Sequence, residues 1–192
     1  RHTVRALARR GFRVRAVVRR PDLAGYLQPM GSVAQIHALQ GNVRYPDSIA
    51  RALEGADGVV NLVGILAKSG AQTFESIHVA GAKTVARAAR DAGAHRLVHV
   101  SAIGAGTSAP GQYGRTKGQA EAAVLDAFPE AVILRPSVIF GPEDDLFNLG
   151  RKHVDAAHDH HVVGAARDLF HAPHRARRAG QQPCEVARAI TD

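Results

Sequence analysis

The chain has 192 residues, 45% of them hydrophobic, a formal net charge of +8 and one cysteine. That length and apolar content support one domain with a single core, or one domain and part of a second, and exclude a disordered chain. No apolar run is long enough to cross a bilayer, and a single cysteine excludes an internal disulfide and fits a reducing compartment. The basic excess is mostly Arg, dispersed through an Ala/Arg/Gly-rich sequence with 5% aromatic residues. It reads as a solvated basic face; a nucleic-acid surface needs clustered cations and stacking rings, so no nucleic-acid partner is expected.

Residues 1–10 set Val4, Leu7 and Ala8 on one side and Arg on the other, then stop at Gly11: an amphipathic helix with a glycine end. Arg1 already lies inside this pattern, and the sequence reads as though a strand precedes it. Residues 12–18 form a strand ending in Arg19-Arg20, and Pro21 and Asp22 open a short helix through Leu27. Residues 33–39 are the next strand, closed by Gly41-Asn42; residues 46–53 are helical; residues 57–63 are a third apolar strand running into Gly64. A long helix spans about residues 73–92 and ends at Gly93.

Residues 96–101 are a strand, the helix that carries Tyr113 continues to Ala127, and Pro129 breaks it before a strand at 131–134. Strands apolar on both faces, alternating with helices, specify an α/β fold with a doubly wound parallel sheet. Beyond Gly150 the composition shifts: residues 151–182 are rich in His, Arg and Ala with no convincing strand, before 185–190 resumes a helical pattern. Residues 1–150 are therefore read as one nucleotide-binding domain and 151–192 as an atypical tail. The tail has the composition of a GC-rich gene read out of frame, which the encoding DNA would settle.

In such sheets ligands sit at the carboxyl ends of the strands. Arg19 and Arg20 stand there after the first visible strand, where guanidinium groups suit a ribose 2′-phosphate and favour NADP(H) over NAD(H). Asn42 and Val43 follow the second strand, as adenine contacts or as a simple Asn turn. Leu62, Val63 and Gly64 end the third strand and offer a side-chain-free approach for a dinucleotide. Ser101 ends the fourth strand, and Tyr113 and Lys117 follow at helical i, i+4 spacing, on one face. An adjacent ammonium favours the phenolate of Tyr113, making it a proton donor and acceptor; Ser101 is placed to hydrogen-bond a substrate oxygen, and Lys117 to reach a cofactor ribose. Asp155, His158, Asp159, His160 and His161 lack the Cys or Glu of a recognised ligand set, so no metal is expected, and Cys184 has no partners that would make it a nucleophile.

Ser101, Tyr113, Lys117, the 61–64 strand end and Leu134-Arg135-Pro136 resemble the short-chain dehydrogenase/reductase superfamily, of extended or atypical type. Residues 27–31, 60–64, 126–131 and 136–144 further resemble the NADPH-binding accessory subunit of respiratory complex I and its bacterial relatives. The resemblance covers roughly residues 1–150. It implies a Rossmann-like fold, a nicotinamide dinucleotide, complex I subunits as partners, and a role in assembly or stability; the rival is an active NADP-dependent reductase or nucleotide-sugar epimerase. It implies a location in the bacterial cytoplasm or at the inner membrane, the matrix side in a eukaryote. Position by position, Tyr113 would be the acid/base, Lys117 the ribose ligand, Ser101 the substrate donor, and Arg19 the 2′-phosphate ligand, with Pro136 beside the cofactor. The superfamily's central-helix Asn is replaced by His78, read as a packed or exposed helix residue. Its first strand and glycine loop are expected before Arg1, so the central position of the sheet is expected to lack its strand, leaving a fold of low stability and weak binding.

Overall fold

The computed structural model describes residues 1–139 and 187–190. Chain contacts gather Arg1–Pro136 with Cys184–Asp192 into one unit and set Ser137–Pro183 apart as a second; all that follows concerns the first. The sequence-stretch 140–144 and the His/Asp cluster at 155–161 lie outside the described residues, as does Cys184.

In chain order the elements are helix α1 (His2–Arg9), strand β1 (Val14–Val18), two 3-10 turns (Pro21–Leu23 and Gly25–Met30), β2 (Ile36–Gln40), helix α2 (Pro46–Leu53) and β3 (Gly58–Asn61). A π-helical segment (Glu75–Gly81) then runs into α3 (Ala82–Asp91), followed by β4 (Arg96–Val100), α4 (Gln112–Ala127), β5 (Val132–Leu134) and β6 (Ala187–Ile190). The expected elements up to residue 134 are all present, with two refinements. The helix after Arg20 is two 3-10 turns, broken up by Gly25 and Pro29. The long helix begins as a π-helix rather than an α-helix.

The six strands lie in the order β2-β1-β6-β3-β4-β5, all parallel. Residues 187–190 are thus a strand and not the helix that their pattern suggested. They occupy the central position expected to be missing, pairing Val14 with Ala187 through Val17 with Ile190 on one side, and Gly58 with Ala187 through Asn61 with Ile190 on the other. A central parallel strand has every backbone donor and acceptor in a ladder, which overrides a four-residue Ala/Arg preference for helix.

Helices cover the sheet because alternate strand residues point to opposite faces. Val17, Val59 and Leu97 join Ile49, Leu53, Val85, Ala89, Ala120 and Val124 in one cluster beneath α2, α3 and α4. α1 packs on β1 from outside that cluster and buries Val4, Leu7 and Ala8. Val4, Val14, Val17, Ile49, Leu53, Val85 and Ala89 have no accessible surface, so this core is closed. Burying a branched aliphatic side chain of this kind stabilises by roughly 1.5–3 kcal/mol.

Candidate nucleotide site

The carboxyl ends of β3 and β4, together with α4, bring most of the candidate residues into one place. Three local contacts build it. The backbone N–H of Ser101 donates to the Leu134 carbonyl at 2.7 Å and that of Ile103 to the Pro136 carbonyl at 2.8 Å, so the segments leaving β4 and β5 run side by side. The Gly106 N–H donates to the Gly114 carbonyl at 3.2 Å, laying the 102–109 loop on α4. Gly118 makes that approach possible: a Cβ there would sit 2.4 Å from the Gly106 carbonyl carbon.

Tyr113 and Lys117 share the inner face of α4. Lys117 is only 4% exposed, and its Nζ donates to the Val100 carbonyl at 3.3 Å. Gly64 faces it, since a Cβ built on Gly64 would lie 3.2 Å from Lys117 Nζ; the side-chain-free strand end therefore abuts the ammonium. Burial pulls the Lys117 pKa below its ordinary value, with Glu121 opposing. Tyr113 is half-buried, and burial raises its phenol above the usual range. The phenolate is thus not favoured here, contrary to the effect expected of a nearby ammonium: Lys117 points to the backbone of β4, and desolvation of the phenol prevails.

His78 is the residue whose importance the sequence understated. It is 1% exposed, and its ring meets Tyr113 edge to face with centroids 5.3 Å apart, with Phe74 5.2 Å away on the same cluster. Its Nδ1 lies 3.0 Å from Thr116 Oγ1, and its Nε2 lies 3.1 Å from both the N–H and the carbonyl oxygen of Ile65. One tautomer satisfies the most donors. With Nδ1–H donating to Thr116 Oγ1, the hydroxyl donates onward to the Gln112 or Tyr113 carbonyl, and Nε2 accepts the Ile65 N–H. Burial first, then the charge of Lys117, lowers the His78 pKa to about 4, so the ring is neutral at pH 7. The π-helical turn that holds it widens the helix beside Tyr113; such turns are frequent at functional sites.

Beneath Lys117 is a polar layer that crosses from β3 to α4. His99 is 1% exposed; the Asn61 amide Nδ2 donates to its Nδ1 at 3.1 Å, and Asn61 Oδ1 accepts the Val63 N–H at 3.1 Å. Burial, reinforced by Lys117, brings the His99 pKa to about 4. Ser101 is 5% exposed, and among the described residues its Oγ and His99 Nε2 are buried without a hydrogen-bond partner. Glu121, also 5% exposed, receives both Nε (2.9 Å) and Nη2 of Arg135. Burial raises the Glu121 pKa, but Arg135 and the nearby Ser101 hydroxyl outweigh it and hold the carboxyl below its ordinary value. Ser101 therefore lies in this buried layer, while Ile103, two residues on, is 69% exposed.

The other candidates lie along the same sheet edge. Arg19 follows β1 and donates to Gln72 Oε1 at 3.1 Å; Arg20 pairs with Asp22 at 3.0 Å in an exposed contact. Asn42 Oδ1 accepts the Arg44 N–H at 3.0 Å, so this side chain makes the Asn turn, and Val43 is buried. Leu62 is half-buried and Val63 buried, as strand-end residues of β3. Pro136 is half-buried beside the 101–103 segment that its carbonyl fastens. Thr116, Gly118 and Glu121 were not singled out in the sequence, and Arg135 was noted only within the Leu134-Arg135-Pro136 motif; the i, i+4 step from Lys117 to Glu121 was the available signal. Among the described residues no group of three or more His, Cys, Asp or Glu is placed to hold a metal, and no helix is long and apolar enough to cross a membrane.

Comparison with known proteins agrees with this geometry. An NAD(P)H-binding family matches residues 1–139. The mitochondrial NADH dehydrogenase [ubiquinone] 1 alpha subcomplex subunit 9 of Mus musculus is 36% identical over 123 residues, covering 64% of this chain and 33% of that protein. Ceramide reductase of Caulobacter vibrioides is 34% identical over 144 residues, covering 75% of this chain and 44% of that protein. The chain thus spans between a third and a half of the length of these two relatives. The structure of Citrobacter sp. triphenylmethane reductase complexed with NADP(H) has the same fold, with a TM-score of 0.57 and 18% identity over 79% of this chain and 48% of its own. The parallel sheet and the sequence match together make this chain a member of the NAD(P)H-binding family, homologous to complex I subunit 9 and to ceramide reductase, with a Rossmann-like fold.

Proposed function

We propose that the protein binds NADPH in preference to NADH and acts as an accessory, assembly or stabilising component of a respiratory complex I. The observation that carries the binding half is the convergence of Gly64, Tyr113 and Lys117 at the strand ends. A dinucleotide laid across those ends brings its nicotinamide ribose to Lys117 and Tyr113, while Arg19 at the end of β1 is the cation offered to a 2′-phosphate. The cofactor would supply hydride chemistry; this chain would supply binding, orientation and a phenol. What supports that role is the ammonium set against Gly64, where a side chain would crowd it. Homology to complex I subunit 9 supports the partner, and with it a place in the bacterial cytoplasm or peripheral at the membrane that holds the complex.

Homology to ceramide reductase supports a second reading, an NADP-dependent reductase in which Tyr113 delivers the proton. Ser101, only 5% exposed, would then act from the layer below. A nucleotide-sugar epimerase would use the same pair. Titration of the full-length protein with NADPH and NADH tests the shared claim, and no binding of either would sink it. Co-purification with complex I, and loss of that complex on deletion, would support the accessory reading. Loss of turnover in Tyr113→Phe with NADPH affinity intact would support the reductase.

A further inference from the structure

We infer that Glu121 is a positioning residue for Lys117: it is the buried counter-charge that keeps Lys117 an ammonium, and Arg135 holds it in place. The inference rests on reading Lys117 as a cofactor ligand, and its test is separable from that reading. Lys117 and Glu121 are 4% and 5% exposed and stand one turn apart on the same face of α4. Burial disfavours both ions. The Val100 carbonyl, at 3.3 Å from Nζ, is a long contact and a dipole rather than a charge. A lysine so enclosed tends toward the neutral amine, which would be a poorer donor to a ribose hydroxyl.

The groups that face Lys117 from each packed element are few. Tyr113 and Glu121 share its face of α4, His78 comes from the π-helical segment and His99 from β4; Arg135, from the segment after β5, meets Glu121 instead. Tyr113 is a neutral phenol and both histidines are neutral rings at pH 7. Glu121 is thus the one anion of this set, and it opposes the burial of the ammonium. The carboxylate also needs support, because its own burial is costly. Arg135 gives it a two-point contact, while the guanidinium keeps 56% of its side chain exposed and stays hydrated. The charges alternate outward from the interior: Lys117, Glu121, Arg135. Neither of the last two belongs to the Tyr-x-x-x-Lys spacing.

The test is an NMR titration of the Lys117 Cε and Nζ signals in the full chain, assigned by their loss in Lys117→Arg. In Glu121→Gln, Lys117 should titrate at least one pH unit lower, about a tenfold loss of ammonium at a given alkaline pH. In Arg135→Gln, which releases the carboxylate from its two-point contact, it should also titrate lower, by a smaller amount. If Glu121 merely packed, removing the Arg135 cation would leave the Lys117 titration unchanged or raise it. An unchanged Lys117 titration in a folded Glu121→Gln protein overturns the inference; if that variant does not fold, a rise or no change in Arg135→Gln overturns it. NADPH affinity in Glu121→Gln should fall off at a lower pH than in wild type as pH rises. Shifted titrations with pH-independent NADPH affinity would keep the Glu121 role and reject Lys117 as a cofactor ligand.

Discussion

His78 Nε2 accepts the N–H of Ile65 at 3.1 Å, so one neutral ring fastens the loop after β3 to the helix that carries Tyr113. Both of its nitrogens are engaged, which makes it a clamp between the segment after β3 and α4 rather than a free proton carrier. Replacing it with Leu keeps bulk but strands the Ile65 N–H, while the Thr116 hydroxyl keeps its carbonyl acceptor on α4. The expected loss of stability is about 1–3 kcal/mol for the N–H left unpaired, read as a lower urea midpoint, together with weaker NADPH binding.

Acid should weaken the fold over a defined window. His78 and His99 both titrate at about 4 in the folded chain against 6.5 for a free imidazole. Between these values the unfolded chain binds protons that the folded chain does not, so stability is full above about pH 6.5 and declines as pH falls toward about 4. Each histidine contributes roughly 1.4 kcal/mol per pH unit inside that window. Urea midpoints at pH 7, 6 and 5 measure the slope, and His99→Gln should reduce it by about half.

The loop between β4 and α4 is sensitive to a single methyl group. Gly118→Ala would place Cβ 2.4 Å from the Gly106 carbonyl carbon and 2.6 Å from Thr107 N, and backbone cannot rotate aside. Overpacking of this kind costs about 1–3 kcal/mol. Gly114→Ala, whose nearest neighbours would be at 3.1 and 3.2 Å, should cost less. Thermal denaturation of the two variants gives the order.

On the proposed reading, Arg19 is the lever on cofactor choice. Arg19→Ala should leave NADH affinity near wild type and weaken NADPH binding by about 10- to 100-fold, the worth of one charge-assisted phosphate contact. Because Arg19 also holds Gln72 Oε1, Gln72→Ala serves as the control and should change NADPH affinity little. Equal loss of both nucleotides in Arg19→Ala would count against a 2′-phosphate role.

How legible was all this in the sequence? Strand and helix positions up to residue 134 were readable because Val-rich runs and Gly or Pro stops recur at the spacing of a parallel sheet, and Tyr113 and Lys117 follow from their i, i+4 step. The strand at Ala187–Ile190 was not readable, since four residues carry too little periodicity and its environment is supplied by β1 and β3, far away in sequence. The polar layer was hidden for the same reason. His99, Asn61 and Ser101 look like interruptions of apolar strands until α4 is folded over them, and only then does Glu121 acquire a partner in Arg135. The direction of the Tyr113 shift was misjudged because spacing shows that two side chains share a face, not where each one points.

The π-helical turn at Glu75–Gly81 has a consequence for how this chain tolerates length changes. A wide turn amounts to one residue more than α geometry needs. Deleting a single residue near Val79 would let the segment relax into a continuation of α3, with the hydrophobic stripe Val85, Ala86 and Ala89 still seated in the core. Everything upstream would rotate by about 100°, carrying His78 away from Ile65 and Thr116. The segment is therefore a phase adjuster: the same helix serves the core in one angular frame and the nucleotide cleft in another.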